Sequence, residues 1–286
     1  MAVWQVRKLG CVHFIALQAA DSGLGLVDIF DAAAGNLECS RLSEAMTTTP
    51  RRIHGSDPAS CLRHRRIRRL GRAAQNRVLR NTYALLALSL VPTVLGAWIG
   101  VQMNFSFFQG SPAIGFIAFL AIAFGFMFAI EKTKNSAMGV AILLGFTFFM
   151  GLMLSRMLGV VLGFRNGAAL IGLAGGGTAV IFAVMAALAG SIKRDLSGMG
   201  KALFIGMIML LVAAFANIFL QMPALMVAIS VIAVGIFSAF LLYDLNRVIT
   251  GGETNYISAT LAVYLSLYNV FQSLLALLGI FGGQGD

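Results

Sequence analysis

Long apolar stretches follow one another from residue 82 to residue 281, broken only by short polar or charged intervals. The pattern predicts spans at 82–104, 112–130, 136–155, 167–190, 201–220, 223–243 and 257–281. A helix rising 1.5 Å per residue needs about 20 residues to cross a hydrocarbon layer about 30 Å thick, and every stretch is close to that length. None shows the in–out alternation of a membrane barrel strand, and helices satisfy their own backbone in lipid. The fold class expected is therefore all-α integral membrane, with seven transmembrane helices over residues 76–286. Residues 1–75 lack the pattern and are expected to form a basic, disordered cytoplasmic tail.

The seventh stretch differs from the others. It carries Ser258, Thr260, Tyr264, Ser266, Tyr268, Asn269, Gln272 and Ser273. Ser266, Asn269 and Ser273 recur at i, i+3 and i+7 and share one helical face, while Tyr264, Tyr268 and Gln272 repeat every four residues on an adjacent face. Polar groups facing lipid are costly. The seventh helix is therefore expected to be surrounded by the other six, its polar groups either gluing the bundle or lining a path. Hydroxyls and amides commonly bond between membrane helices, which favours glue.

Composition supports a lipid environment: 59% of the chain is apolar, 11% is charged, and the mean hydropathy is +0.87. A soluble surface needs about a quarter charged residues. The net charge of +10 is mostly a property of the tail, since 13 of 21 Lys and Arg precede Asn81. With the N-terminus cytoplasmic, sixteen basic residues fall in inner segments and only Arg156 and Arg165 in outer ones, so the C-terminus is expected outside. This inside bias explains the charge without nucleic acid, which is not expected as a partner. Residues 62–80 interleave Leu62, Ile67, Leu70, Ala74, Val78 and Leu79 with eight Arg, fitting a solvated anchor better than a surface helix. Residues 1–45 read as a disordered extension or as sequence upstream of a start at Met46. Deleting them should leave folding and insertion intact.

All Cys (Cys11, Cys39, Cys61) and all His (His13, His54, His64) lie in the tail, at spacings that make no metal site. No cofactor or metal is expected. An aspartyl protease within the membrane needs two carboxyls in its spans, and a Ser–His pair needs a membrane His, so an enzyme is not expected either.

Asp244 closes the sixth stretch after Phe240-Leu241-Leu242-Tyr243. Acids at membrane depth are rare and often functional, so Asp244 is a gate or proton-sensing candidate. The plain alternative is an interfacial aspartate paired with Arg247 at i+3. Gly175-Gly176-Gly177-Thr178, with Gly172, and the pair Gly96 and Gly100 are expected to let neighbouring helices approach closely. Glu131, Lys132 and Lys134 read as a solvated inner loop, and Gly251-Gly252 as a tight turn after which Thr254 or Asn255 caps the seventh helix.

Several runs resemble the Bax inhibitor-1 (transmembrane Bax-inhibitor-motif) family, in its bacterial YccA-like branch. They are Arg77-Val78-Leu79-Arg80-Asn81-Thr82-Tyr83, Gly175-Gly176-Gly177-Thr178-Ala179, and Ala216-Asn217-Ile218-Phe219-Leu220-Gln221-Met222-Pro223-Ala224-Leu225. Gly251-Gly252-Glu253-Thr254-Asn255-Tyr256-Ile257 and Tyr264-Leu265-Ser266-Leu267-Tyr268-Asn269-Val270-Phe271-Gln272-Ser273-Leu274-Leu275 complete the set, which spans about residues 76–283. The resemblance implies seven helices with the last wrapped by six. It implies one of two roles, in the cell inner membrane. YccA-like members modulate, and are substrates of, the membrane-anchored AAA protease of the FtsH type. Ion-conducting members are pH-sensitive calcium leaks, gated by two aspartates that share a proton. Asp244 matches the first aspartate, but the second position is Ser266, which cannot ionise. Modulation of the protease is therefore the leading expectation. A calcium or proton leak with Asp244, Ser266 and Arg247 near its gate, and Tyr264, Tyr268, Asn269, Gln272 and Ser273 along its path, is the alternative.

Overall fold

The structure is a computed structural model, and it describes residues 58–105, 112–192 and 196–282. Expectations for residues 1–57 therefore fall outside the described residues, as do the side chains of the basic segment before Asn76. The described residues from 75 onward gather into one compact unit, which holds everything that follows.

Among the described residues all regular structure is helical. In chain order the helices are α1 (Pro58–Gln102), α2 (Pro112–Thr133), α3 (Ala137–Leu162), α4 (Gly167–Ser191), α5 (Ser197–Leu220), α6 (Pro223–Thr250) and α7 (Tyr256–Gly282). Six of them (α1 from Asn76 onward, and α3 to α7) are long and apolar enough to cross a bilayer. The remaining helix, α2, coincides with the apolar stretch at 112–130 and ends on Glu131-Lys132-Thr133.

The helices outrun the apolar stretches. The third continues past residue 155 to Leu162, so Arg156 is a partly buried helical residue rather than part of a loop. The sixth continues past Asp244 to Thr250. An apolar run stops at its first charge, whereas a helix continues while its backbone bonds do, and long charged side chains reach outward for water. The turns follow local rules. Gly251 ends α6 with φ 84, a left-handed conformation that suits a residue without Cβ. Two residues suffice between α5 and α6: Gln221 adopts φ 56, and Asn217 Oδ1 accepts the Met222 amide at 3.1 Å.

The seventh helix is the most interior. Inside the molecule lies 67% of its central window, against 17% for α4 and for α5. It packs on α2, α3, α4 and α6, and touches α1 through Thr93 and Thr82. Among the described residues α5 packs chiefly on α6, and its Met207, Leu210 and Ala214 share a buried cluster with Val270 and Ile280 of α7. The outward surface is studded with large apolar side chains such as Val94, Trp98, Phe128, Leu173, Val180 and Met209. A surface like this is ordinary in lipid and costly in water.

Glycines weld α1 to α3. A Cβ added at Gly96 would collide with Phe148 O, one at Gly151 with Thr93 O, and one at Gly100 with the Ser155 side chain. The predicted close approach at Gly96 and Gly100 is therefore present. The prediction for α4 is met at Gly177 alone. A Cβ at Gly172, Gly175 or Gly176 would meet nothing within 4 Å, and only Gly177 faces a neighbour, Leu274 Cδ1 at 3.2 Å. The Gly172 and Gly176 face of α4 is exposed, and among the described residues their small size serves no packing.

Candidate functional site

The polar groups predicted to be functional lie on α7 and on the second half of α6. Burial of Tyr264, Ser266, Tyr268, Asn269, Gln272 and Ser273 follows from the position of α7, since the surrounding helices leave it little outward surface.

Asp244 lies within α6, partly buried and six residues before the helix ends. Ser266 Oγ on α7 donates to its Oδ2 at 2.9 Å. The pairing expected of a helix-end aspartate does not form. Arg247 Nη2 instead lies 3.4 Å from Glu253 Oε2 in the loop that follows, with the arginine side chain about half exposed. The reason is geometric. An i+3 partner on the same helix must reach back along the surface, whereas the tight turn at Gly251-Gly252 folds Glu253 under Arg247, and the Gly252 and Glu253 amides both donate to Arg247 O. The structure therefore brings Asp244 together with Ser266 and turns Arg247 toward the loop.

The Tyr264 face of α7 bonds to α1 and α3. Thr93 Oγ1 gives its one proton to Ser89 O at 2.9 Å, so the 2.8 Å contact with Tyr264 is donated by the tyrosine hydroxyl. One turn on, Tyr268 Oη donates to Met150 O on α3 at 3.3 Å. Nearer the start of the helix, Thr260 Oγ1 bonds Tyr256 O at 2.6 Å and lies 3.4 Å from Thr82 O on α1. Hydroxyls thus make these interhelical links. Ser273 bonds back to Asn269 O on its own helix. Gln272 is buried, and among the described residues no donor reaches its Oε1. The side chains thus divide by direction. Tyr264 and Tyr268 face α1 and α3, and Ser266 faces α6.

The loop between α6 and α7 is held as predicted, with Asn255 as the cap. Its Oδ1 accepts the Ile257 amide at 2.9 Å. Glu131 and Lys134 form an exposed ion pair, and Lys132 sits 5.5 Å over the Phe128 ring.

Sequence reasoning missed the partners rather than the α7 residues. Thr93 follows Pro92 inside an apolar stretch, and a hydroxyl beside a helix-interior proline was a visible signal. Asn246, whose Nδ2 donates to Ile192 O at the end of α4 at 3.0 Å, was signalled by an amide two residues after a membrane acid. The Met150 carbonyl carried no signal, because any residue supplies a carbonyl.

Residues 75–283 match the family described as inhibitor of apoptosis-promoting Bax1. The chain is 39% identical over 213 residues to an uncharacterized protein of Neisseria meningitidis, covering 74% of this chain and 94% of that relative. It is 39% identical over 204 residues to the modulator of FtsH protease YccA of Escherichia coli, covering 71% of this chain and 90% of that protein. A relative in another Escherichia coli strain, at the same identity and coverage, is named inner membrane protein YccA. The sequence match and the helical bundle with its buried polar α7 agree: the chain belongs to the Bax inhibitor-1 family.

Proposed function

We infer that the chain is a non-enzymatic, multi-pass protein of a bacterial inner membrane that modulates a membrane-anchored AAA protease of the FtsH type, and is itself a substrate of it. The observation that carries this reading is the 39% identity over 90% of a relative named as such a modulator. The site is compatible with it. Tyr264, Tyr268 and Ser266 are engaged in holding helices together, and Asp244 is bonded to a hydroxyl rather than to a second carboxyl. A modulator needs a stable folded surface within the membrane and no chemistry of its own.

Reconstitution tests it. The purified chain and the protease are placed together in nanodiscs, and ATP-dependent loss of a membrane substrate is followed with and without the chain. A changed rate and loss of the chain itself are the expected results. Unchanged proteolysis together with no association between the two proteins overturns the reading.

One observation favours a second reading, a cation leak. Asp244 is a partly buried acid on a membrane helix, and the hydroxyl that bonds its carboxylate belongs to the neutral Ser266. In that reading Asp244 and Ser266 close a path lined by α7, with Arg247 at its mouth. Calcium and proton flux into liposomes holding the chain, compared with Asp244→Asn, separates the two. Flux that changes with the substitution supports the leak, and flux no greater than that of empty liposomes eliminates it.

A further inference from the structure

One side chain ties the α2–α3 turn to the α6–α7 turn. Asn255 Oδ1 accepts the Ile257 amide at 2.9 Å and so starts α7. The other half of the same amide faces the opposite way, where Nδ2 donates to Lys134 O and to Asn135 Oδ1, each at 2.9 Å. Its polar capacity is divided between capping one helix and holding the turn between two others. Beneath it the packing is close. Ile257 is fully buried, and its Cδ1 lies 3.1 Å from where a Cβ on Gly139 would sit. On the far side Glu253 Oε1 accepts the Thr254 and Asn255 amides at 3.1 and 3.0 Å, which fixes the loop that presents Asn255.

The turn's own bonds stay inside the hairpin. Ser136 Oγ donates to Thr133 O at 3.0 Å, and Lys134 pairs with Glu131. Neither holds the hairpin to α7. Asn135 and Ser136 are exposed, where water competes for every hydrogen bond and local opening is least costly.

We propose that Asn255 is a clasp: releasing its Nδ2 lets the α2–α3 turn open locally while α7 stays capped and helical. This gives that end of the bundle an opening mode governed by two hydrogen bonds and separate from global unfolding. The mode is independent of whether the chain meets a protease or conducts an ion.

The two halves of the amide can be separated by substitution. Asn255→Asp keeps an oxygen for the Ile257 amide, and aspartate caps helices as well as asparagine does. It loses both donors and sets a carboxylate against two acceptors. Asn255→Ala loses cap and clasp together. Hydrogen–deuterium exchange is measured on the full chain in nanodiscs. In Asn255→Asp, amides of residues 133–140 are expected to exchange about thirtyfold faster, the effect of losing two hydrogen bonds worth about 1 kcal/mol each, while residues 257–262 keep wild-type protection. In Asn255→Ala both segments should accelerate. Asn135→Ala removes one of the two acceptors without touching the cap, and a smaller acceleration confined to the turn is expected. It carries the test should Asn255→Asp fail to fold. Wild-type exchange at 133–140 in Asn255→Asp or Asn135→Ala overturns the proposal, and so does equal acceleration of both segments in either.

Discussion

Ser266 on α7 donates a 2.9 Å hydrogen bond to the Asp244 carboxylate on α6. The acid is thereby held by a neighbouring helix rather than by Arg247, the cation one turn away, which pairs with Glu253. A hydroxyl can satisfy one lone pair of a carboxylate but cannot share its proton as a second carboxyl would. The bond is thus a join between two helices with an ionisable group at one end.

Removing that join should be felt. Ser266→Ala leaves the partly buried Asp244 short of a donor, and the expected loss is about 1–3 kcal/mol. Asp244→Asn keeps an oxygen able to accept the same bond and should cost less. In Asp244→Ala/Ser266→Ala the two losses should fail to add, with a coupling of about 1 kcal/mol. Unfolding in mixed micelles measures all four proteins, and additivity to within about 0.3 kcal/mol would show that the bond contributes nothing.

The Tyr264 hydroxyl has a single described partner, Thr93, whose own proton is committed to Ser89 O. Tyr264→Phe removes one interhelical bond without opening a cavity. Bonds of this kind between membrane helices are worth about 0.6 kcal/mol on average, so a loss of about 0.5–1.5 kcal/mol is expected. Thr93→Val should cost a similar amount, and Tyr264→Phe/Thr93→Val little more than either alone. Two independent full losses would mean that the hydroxyls do not depend on each other.

Most of the architecture was legible because lipid enforces it. The apolar stretches had to be helices, and a helix as polar as the seventh had to be interior. The far ends of α3 and α6 were not legible. Arg156 and Asp244 look like boundaries in a hydropathy pattern, yet both are helical, because hydrogen bonding in the backbone is indifferent to side-chain charge. Asp244 and Ser266 could each be singled out from the sequence, but their meeting depends on the rotation of α6 against α7. The same holds for Asn255. Its capping of α7 is local and readable, whereas its hold on Asn135 joins residues 120 positions apart.

The Arg247–Glu253 pair should matter little to stability. The arginine side chain is 49% exposed and the glutamate 22%, the N–O distance is 3.4 Å, and exposed pairs contribute about 0.2–1 kcal/mol. Arg247→Ala should therefore change unfolding by less than about 1 kcal/mol, and 0.5 M salt should reduce even that difference. Glu253→Ala should cost more, because Oε1 also accepts the Thr254 and Asn255 amides. Equal effects from the two substitutions would place the glutamate's contribution in the ion pair rather than in the loop.

The glycines offer a controlled contrast, since two sets of small residues with the same sequence appearance have opposite surroundings. Gly151 on α3 lies against the Thr93 carbonyl of α1, so a methyl group there collides with backbone and the helices must part. Gly176 on α4 would place its methyl in open space. Parting α1 from α3 would also strain the neighbouring contacts at Gly96 and at Gly100, because all three lie along one seam. Gly151→Ala is therefore expected to destabilise by about 1–3 kcal/mol, the usual cost of overpacking. Gly176→Ala is expected to be neutral or to stabilise by up to about 1 kcal/mol, since alanine is the better helix former. Thermal inactivation and unfolding in micelles distinguish them. A large loss from Gly176→Ala in the membrane-embedded protein, absent in micelles of the isolated chain, would reveal a neighbour on that face of α4 that the single chain does not contain.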